Sequence, residues 1–417
     1  TTFPANMGLG VIGSEEVCYR FGQMVGEESR AVGVHLVSAP VVDVNSNPEN
    51  PVIGVRSFGE EPELVSRLGV ATLRGIQSAG AIAMAKHFPG HGDTAVDSHL
   101  GVPTVAHPIE RLQSVELQPF HAAVAAGVQS LCTAHALYPA LDDTPNTVAT
   151  VSPKILGSLL RTAMGYDGLV FSDCLTMQGI VQTVGTARGA VEFIQAGGDV
   201  AIVCHTFDAP VEAFEAVLKA AQWGGLSEER INQSVRRVLE AKEKLGLLDS
   251  PFVDVDAVTD VVGTADKIAF ARQVAANAVT VIKDEAHLLP LRLPAEAPLL
   301  LLCPPEAEPL AQVVRENHPN TVVISPADAS RTVSELQRSH TFIAVYWHRC
   351  ASWGKVPEGE EKLSQYFRQH PRSILISLVS PYEARRFAHA STIVTAFSAK
   401  ETSQKATADM IFKRSRG

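Results

Sequence analysis

Residues 81–99 read Ala-Ile-Ala-Met-Ala-Lys-His-Phe-Pro-Gly-His-Gly-Asp-Thr-Ala-Val-Asp-Ser-His. The first five are apolar without a break, the pattern of a strand buried on both faces. Then the character changes. Pro89, Gly90 and Gly92 end regular structure, and Lys86, His87, His91, Asp93, Asp97 and His99 crowd onto the loop that leaves the strand. Polar groups at that density are costly unless the loop faces a solvated, working pocket.

The same unit recurs on either side. Upstream, a helical pattern over 14–32, with Ser14 as cap and Glu15 and Glu16 in its first turn, precedes an apolar run over 35–44 that delivers Asp43. A long loop, 45–60, carries Arg56, and a helix over 62–77 leads into the strand before Lys86. Downstream, a helix over 108–126 precedes a strand over 129–135, a helix over 153–164 a strand over 168–173, and a helix over 187–196 a strand over 199–204. The clearest helix spans 227–245: Ser227 caps it, Glu228 and Glu229 fill its first turn, Ile231, Val235, Val238 and Leu239 form an apolar stripe, and Gly246 stops it.

Apolar strands alternating with helices predict a parallel sheet covered on both faces. The unusual polar residues fall each time at the carboxyl end of a strand: Asp43, Lys86 to His99, His135, Asp173 and His205. That is the rim on which a β/α barrel keeps its active site. Five such units can be counted in the sequence, three short of a closed eight-stranded barrel. The expectation is a (β/α)8 TIM-type barrel, incomplete at its amino terminus, over 1–248. A linker over 249–266 and a smaller domain over 267–417 follow. In that domain apolar runs at 278–282, 298–303, 321–324, 341–347, 373–379 and 392–397 alternate with helical stretches such as 360–369 and 400–412. This predicts a doubly wound α/β sandwich, and its loops carry no comparable polar cluster.

Bulk properties exclude several classes. A chain of 417 residues with 46% hydrophobic and 19% charged residues fits a soluble two-domain protein. A net charge of −10 spread along the chain argues against nucleic acid or an anionic membrane as partner. No apolar run approaches the roughly 18 residues needed to cross a bilayer. Cys18, Cys132, Cys174, Cys204, Cys303 and Cys350 are scattered, most in apolar stretches. They read as buried thiols of a reducing, cytoplasmic compartment, not as a disulfide frame or a zinc site.

The run Lys86-His87, Phe88-Pro89-Gly90-His91-Gly92, Asp97-Ser98-His99 resembles the signature of glycoside hydrolase family 3, in its β-N-acetylglucosaminidase branch (the NagZ-like enzymes). Ser172-Asp173-Cys174-Leu175-Thr176-Met177 resembles the family's nucleophile motif, Ser/Thr-Asp-x-Leu-x-Met. The similarity runs from residue 1 to about 248 and weakens beyond, where the second domain resembles the sandwich of two-domain members. In the family, strands upstream of Phe-Pro-Ala-Asn (here Phe3 to Asn6) lead into a sugar-holding Asp-Gln-Glu-Gly-Gly-Arg loop that this sequence does not contain. The expectation is that an amino-terminal portion has been trimmed or lost.

The resemblance implies roles residue by residue. Asp173, which alone reads equally well as a turn or cap aspartate, becomes the nucleophile that attacks the anomeric carbon and forms a covalent glycosyl-enzyme with net retention. His99, paired with Asp97, becomes the acid/base; the aspartate fixes the tautomer of an imidazole that titrates near working pH. Lys86, His87 and Arg56 become donors to sugar hydroxyls, although Arg56 also suits a salt bridge that shapes its loop. His135 and Met177 line the pocket, His91 stabilises the loop, Asp43 is structural and Cys174 is a core residue.

The expected activity is that of a retaining exo-β-N-acetylglucosaminidase with no cofactor and no metal. It would release GlcNAc from muropeptides of peptidoglycan recycling or from chito-oligosaccharides, with a small carbohydrate as its partner. Three other readings compete. A metallohydrolase would use His87 and His91, but Pro89 and Gly90 keep the two off a shared helix face. A phosphorylase would pass the glycosyl group to phosphate, which a histidine acid/base repels less than a carboxylate does. A non-catalytic sugar-binding protein would follow if the upstream strands are truly absent.

Overall fold

Helices and strands alternate through the computed structural model, which describes residues 1–347 and 359–413, so that Cys350 lies outside the described residues. Their contacts sort them into two units, one of residues 13–264 and one of residues 1–12 with 265–417.

The first unit is built on a parallel sheet of four sequential strands, β1 (Leu36–Val37), β2 (Ile82–Phe88), β3 (Ser130–Thr133) and β4 (Leu169–Phe171). The register pairs Leu36 with Ile82, Met84 with Ser130 and Ser130 with Leu169. Helices lie between the strands in sequence, as in a β/α barrel. Ser14 caps the helix Glu15–Ala31, accepting from Val17 N at 3.2 Å, and Ser227 caps Glu228–Lys244, accepting from Arg230 N at 3.2 Å.

Four local departures from the sequence expectation have physical causes. The run over 35–44 forms a ladder at Leu36–Val37 that stops short of Pro40, which has no N–H to offer; the chain rejoins the sheet at a single bridge of Val41 with Lys86, where Val42 N donates to Lys86 O at 2.9 Å. The run over 199–204 pairs with β4 only at Val200, since Ile202 N donates at 2.8 Å to the Ser172 hydroxyl in place of a main-chain carbonyl. The helix over 108–126 is two, Ile109–Ser114 and Gln118–Ala125, because the Pro119 ring excludes the carbonyl of Val115 four residues back.

The fourth departure concerns Glu228–Lys244. Val235 and Leu239 of its expected apolar stripe are about half exposed, at 47% and 48%. What docks this helix is polar. Buried Asp199 accepts from Arg161 Nη2 at 2.6 Å, Ser234 Oγ at 2.7 Å, Arg237 Nη1 at 3.2 Å and Val170 N at 3.0 Å, with Arg230 Nη2 at 3.6 Å. A buried carboxylate is stable only when its lone pairs are occupied in this way.

The unit boundaries also differ from the expected 1–248, 249–266 and 267–417. Residues 1–12 join the second unit, where Ala5 N donates to Phe397 O at 3.0 Å and the Phe3 ring meets that of Phe270 edge-on at 6.0 Å. Residues 249–264 join the first, where Gly263 N donates to Glu28 Oε1 at 3.0 Å.

The second unit is a six-stranded sheet of β5 (Thr280–Asp284), β6 (Leu299–Leu302), β7 (Thr321–Ile324), β8 (Thr341–Tyr346), β9 (Ser373–Ser377) and β10 (Thr392–Thr395). Their order is β5-β10-β9-β8-β6-β7, with β5 alone antiparallel to its neighbour. Alternate residues feed opposite cores. Leu299, Leu301, Ile343 and Ile374 pack with Leu310 and Ala408, whereas Leu300, Phe342 and Leu375 pack with Phe367 and Phe387. Cores on both faces make this a doubly wound α/β sandwich. Among the described residues no helix is long and apolar enough to cross a membrane.

Candidate active site

The loop after β2 is organised by one buried carboxylate. Asp43 accepts from the backbone N–H of His87 at 3.0 Å and of His91 at 2.7 Å, and its second oxygen lies 2.7 Å from His87 Nδ1. Burial raises the pKa of Asp43, but the two histidines and these N–H donors outweigh it and leave the group below its ordinary value. Asn50 adds a second anchor, donating to the carbonyls of His91 and Gly92 at 2.9 Å each, and the Tyr138 hydroxyl donates to Gly90 O at 2.6 Å. Gly92 is obligatory here, since a Cβ on it would sit 1.7 Å from Val44 O. His91 is buried with its Nδ1 2.8 Å from Thr94 Oγ1 and its Nε2 3.2 Å from Ser98 Oγ, and burial beside His87 lowers its pKa to about 4. It holds the loop, as expected of it.

The same geometry defines His87. Burial, reinforced by Arg56 and Lys86, lowers its pKa against the pull of Asp43, so the ring is neutral near pH 7. An ionised Asp43 claims the Nδ1 proton, and Nε2 is left as a bare lone pair, 3.9 Å from Asp173 Oδ2. With its proton on Nδ1 the ring would offer Nε2 to a sugar as an acceptor, whereas the expected role as a hydroxyl donor needs the other tautomer.

Asp173 follows β4, its side chain one-third exposed at 33%, with Oδ1 accepting from Cys174 N at 2.7 Å. Burial works against its charge, but His87, His135, the Cys174 N–H and Lys86 prevail and lower its pKa to about 2. The group is an ionised carboxylate at any ordinary pH. His135 stands behind it, fully buried, with Nδ1 2.7 Å from Thr150 Oγ1 and Nε2 donating to Cys174 O at 3.0 Å. Both ring nitrogens are engaged within the protein, so this histidine holds the Asp173 loop in place. Met177 is buried four residues on from Asp173, at the N-cap of the short helix Gln178–Val181.

The Asp97–His99 pair is formed. Asp97 Oδ1 accepts from His99 N at 2.8 Å and lies 2.8 Å from His99 Nδ1; the carboxylate is buried and the imidazole one-quarter exposed. A backbone bond of 3.0 Å from Gly179 N to Ser98 O ties this loop to the one carrying Asp173. Gly179 lies so close to His135 that a Cβ would approach its carbonyl to 2.8 Å. Lys86 Nζ donates to Ser38 Oγ at 2.8 Å, and burial and Arg56 lower its pKa. Arg56 donates to Val52 O at 3.1 Å in the short helix Gly54–Arg56, close enough to act on Lys86 and His87.

The bonding of His87 and His91 to Asp43, Thr94 and Ser98 leaves no shared lone-pair face for a metal. Sequence reasoning missed a different cluster. Cys174 and Cys204, expected as scattered buried thiols, lie together: Cys204 is exposed and its Sγ is 2.9 Å from that of Cys174, with His205 Nδ1 at 3.4–3.5 Å from both. The one available signal was that Cys204 and His205 end a strand beside the one that ends on Asp173. Sequence reasoning also missed the contact of His107 Nε2 with Asp93, which braces the far side of the loop.

The profile of the glycosyl hydrolase family 3 N terminal domain matches residues 1–241. The chain is 29% identical to beta-hexosaminidase A of Pseudoalteromonas piscicida, over 95% of this chain and 73% of that one. It is 32% identical to a beta-N-acetylglucosaminidase/beta-glucosidase of Cellulomonas fimi, over 69% of this chain and 52% of that one. It thus spans about half the length of the second relative. Among solved structures it is similar to a glycoside hydrolase family 3 beta-N-acetylglucosaminidase from Paenibacillus sp. str. FPU-7, with a TM-score of 0.90 and 32% identity, covering 99% of this chain and 80% of that one.

Proposed function

We propose, from the premise that this chain belongs to glycoside hydrolase family 3, that it is a retaining exo-β-N-acetylglucosaminidase. Its fold is a TIM-type barrel unit joined to an α/β sandwich. In this reading the Asp173 carboxylate attacks the anomeric carbon as His99 gives a proton to the departing oxygen. Neutral His99 then takes a proton from the water that opens the glycosyl-aspartate ester. Asp97, bonded to Nδ1, leaves Nε2 as the atom that gives and takes the proton. Lys86 and Arg56 supply donors for sugar hydroxyls and His87 Nε2 an acceptor.

The observation that carries this reading is a carboxylate held at a pKa of about 2 on a loop hydrogen-bonded to the loop of the Asp97–His99 pair. The names of the relatives supply the sugar: GlcNAc at the non-reducing end of muropeptides or chito-oligosaccharides. A cytoplasmic location belongs to the same proposal and rests on the free thiols of Cys18, Cys132, Cys174, Cys204 and Cys303.

The test is hydrolysis of an aryl N-acetyl-β-glucosaminide beside the matching β-glucoside, each with and without phosphate. Rapid, phosphate-independent release from the first alone is expected. Turnover that requires phosphate would make the protein a phosphorylase, and none on either sugar would refute the proposal.

A further inference from the structure

We infer that Cys174, Cys204 and His205 form a binding site for a single thiophilic divalent cation of the zinc type, set on the flank of the nucleophile loop. Three ligand atoms of these residues lie within 4.8 Å of one another. His205 Nδ1 is 3.5 Å from Cys174 Sγ and 3.4 Å from Cys204 Sγ. Tetrahedral bonds of about 2.3 Å to sulfur and about 2.0 Å to nitrogen require sulfur–nitrogen separations of roughly 3.5 Å and sulfur–sulfur separations of roughly 3.8 Å. The nitrogen already fits. The sulfurs, 2.9 Å apart, must open by roughly 0.9 Å, a movement away from a crowded contact.

The remaining geometry suits such an ion. His205 takes a left-handed backbone conformation, φ 78°, which folds its ring back over the sulfur of its own neighbour. Thr176 Oγ1 donates to Cys204 O at 3.0 Å, and its oxygen is 3.0 Å from both Cys174 Sγ and His205 Nδ1, placing a hard donor at the fourth corner. Cys174 is buried while Cys204 and His205 are exposed, so the ion enters from solvent and is gripped from beneath. Two thiolates and a neutral imidazole leave a bound divalent ion with no net charge, and loading releases two protons.

The site is distinct from the sugar-cleaving groups but mechanically joined to them. The N–H of Cys174 holds Asp173 Oδ1 and its carbonyl accepts from His135, so pulling its sulfur toward an ion shifts the residue that aims the nucleophile. Occupancy is therefore expected to slow turnover.

The experiment is titration of the reduced, chelator-stripped full chain with Zn2+ against a chromogenic chelator, repeated with Co2+ to read thiolate-to-metal charge transfer. One equivalent with a charge-transfer band is expected. Loss of an outer-shell partner already costs about 10- to 100-fold in metal affinity, so Cys204→Ser and His205→Gln, which remove direct ligands, should each weaken binding by at least that much, while Cys303→Ser, in the other unit, leaves it unchanged. Should the serine variant fold poorly by circular dichroism, the glutamine variant carries the comparison. Equal binding by all three, or no equivalent bound at all, overturns the inference. So does a native chain in which Cys174 and Cys204 resist thiol reagents until reduced, which would mean a disulfide. Binding is read optically, so a failure of the proposed glycosidase activity would show separately, as absence of turnover with the metal site intact.

Discussion

Replacing Asp43 by Asn changes one oxygen to nitrogen at the centre of the site loop without changing its volume. Asp43 accepts three hydrogen bonds, two from the N–H groups of His87 and His91 and one from His87 Nδ1. The amide oxygen can keep the two backbone donors, so the loop retains its path. The amide nitrogen cannot accept from Nδ1, and His87 must switch tautomer: Nδ1 becomes the acceptor and the proton moves to Nε2, facing Asp173. At Nδ1 one charge-assisted bond of about 1.5–3 kcal/mol is exchanged for a neutral one of about 0.5–1.5 kcal/mol, while the weakening of the two backbone bonds is offset by relief of the cost of burying the Asp43 charge. A net loss of about 1–2 kcal/mol lowers Tm by about 2–8 °C for a unit of this size.

The effect on catalysis is of a different kind. An acceptor for a sugar hydroxyl becomes a donor, which leaves a buried polar mismatch of about 1.5–3 kcal/mol, or about 10- to 150-fold in kcat/KM. The assay is thermal melting by circular dichroism together with kcat/KM on an aryl N-acetyl-β-glucosaminide. A variant that melts within a degree of wild type and turns over at an unchanged rate would refute the assignment of the Nδ1 proton to Asp43.

Asp173→Asn should abolish turnover with the fold intact by circular dichroism, and substantial residual activity would move the nucleophile elsewhere. His99→Ala should depress substrates with poor leaving groups far more than activated aryl glycosides; equal losses would remove His99 from the acid role. His91, whose pKa falls to about 4 from 6.5, stays neutral in the folded protein over a range where the unfolded chain takes up a proton. Stability should therefore fall by about 3 kcal/mol as pH drops from 6.5 to 4 and then level off for this group, with His87 and His135 shifted the same way; urea melts across that range check it. Asp199→Asn leaves three arginines facing a neutral amide, and a loss of about 3–5 kcal/mol is expected in the same melts.

The site loop was legible because its chemistry is contiguous: Lys86, His87, Asp97 and His99 lie on one stretch, and Asp97 meets His99 two residues away. The alternation of strands and helices was legible for the same reason, since each element announces its own period. What escaped was set by partners distant in sequence. Asp43 governs His87 from 44 residues upstream, and Cys174 meets Cys204 across 30 residues, separations at which no spacing rule operates. The helix Glu228–Lys244 misled for a different reason. Its apolar stripe is real in sequence, but the face that docks is the one whose arginines have a buried carboxylate to reach.

That mode of attachment bears on how tightly a neighbouring segment is aimed. Oily surfaces tolerate slippage, because a methyl group is nearly as content a turn further along. Guanidinium groups converging on one carboxylate admit a single alignment, and Asp199 opens the stretch that ends at Cys204 and His205. The helix on the outside of the unit thus serves as a surveyor's peg for the pair of side chains beside the nucleophile loop, and because its ion pairs are buried, added salt should leave that alignment in place.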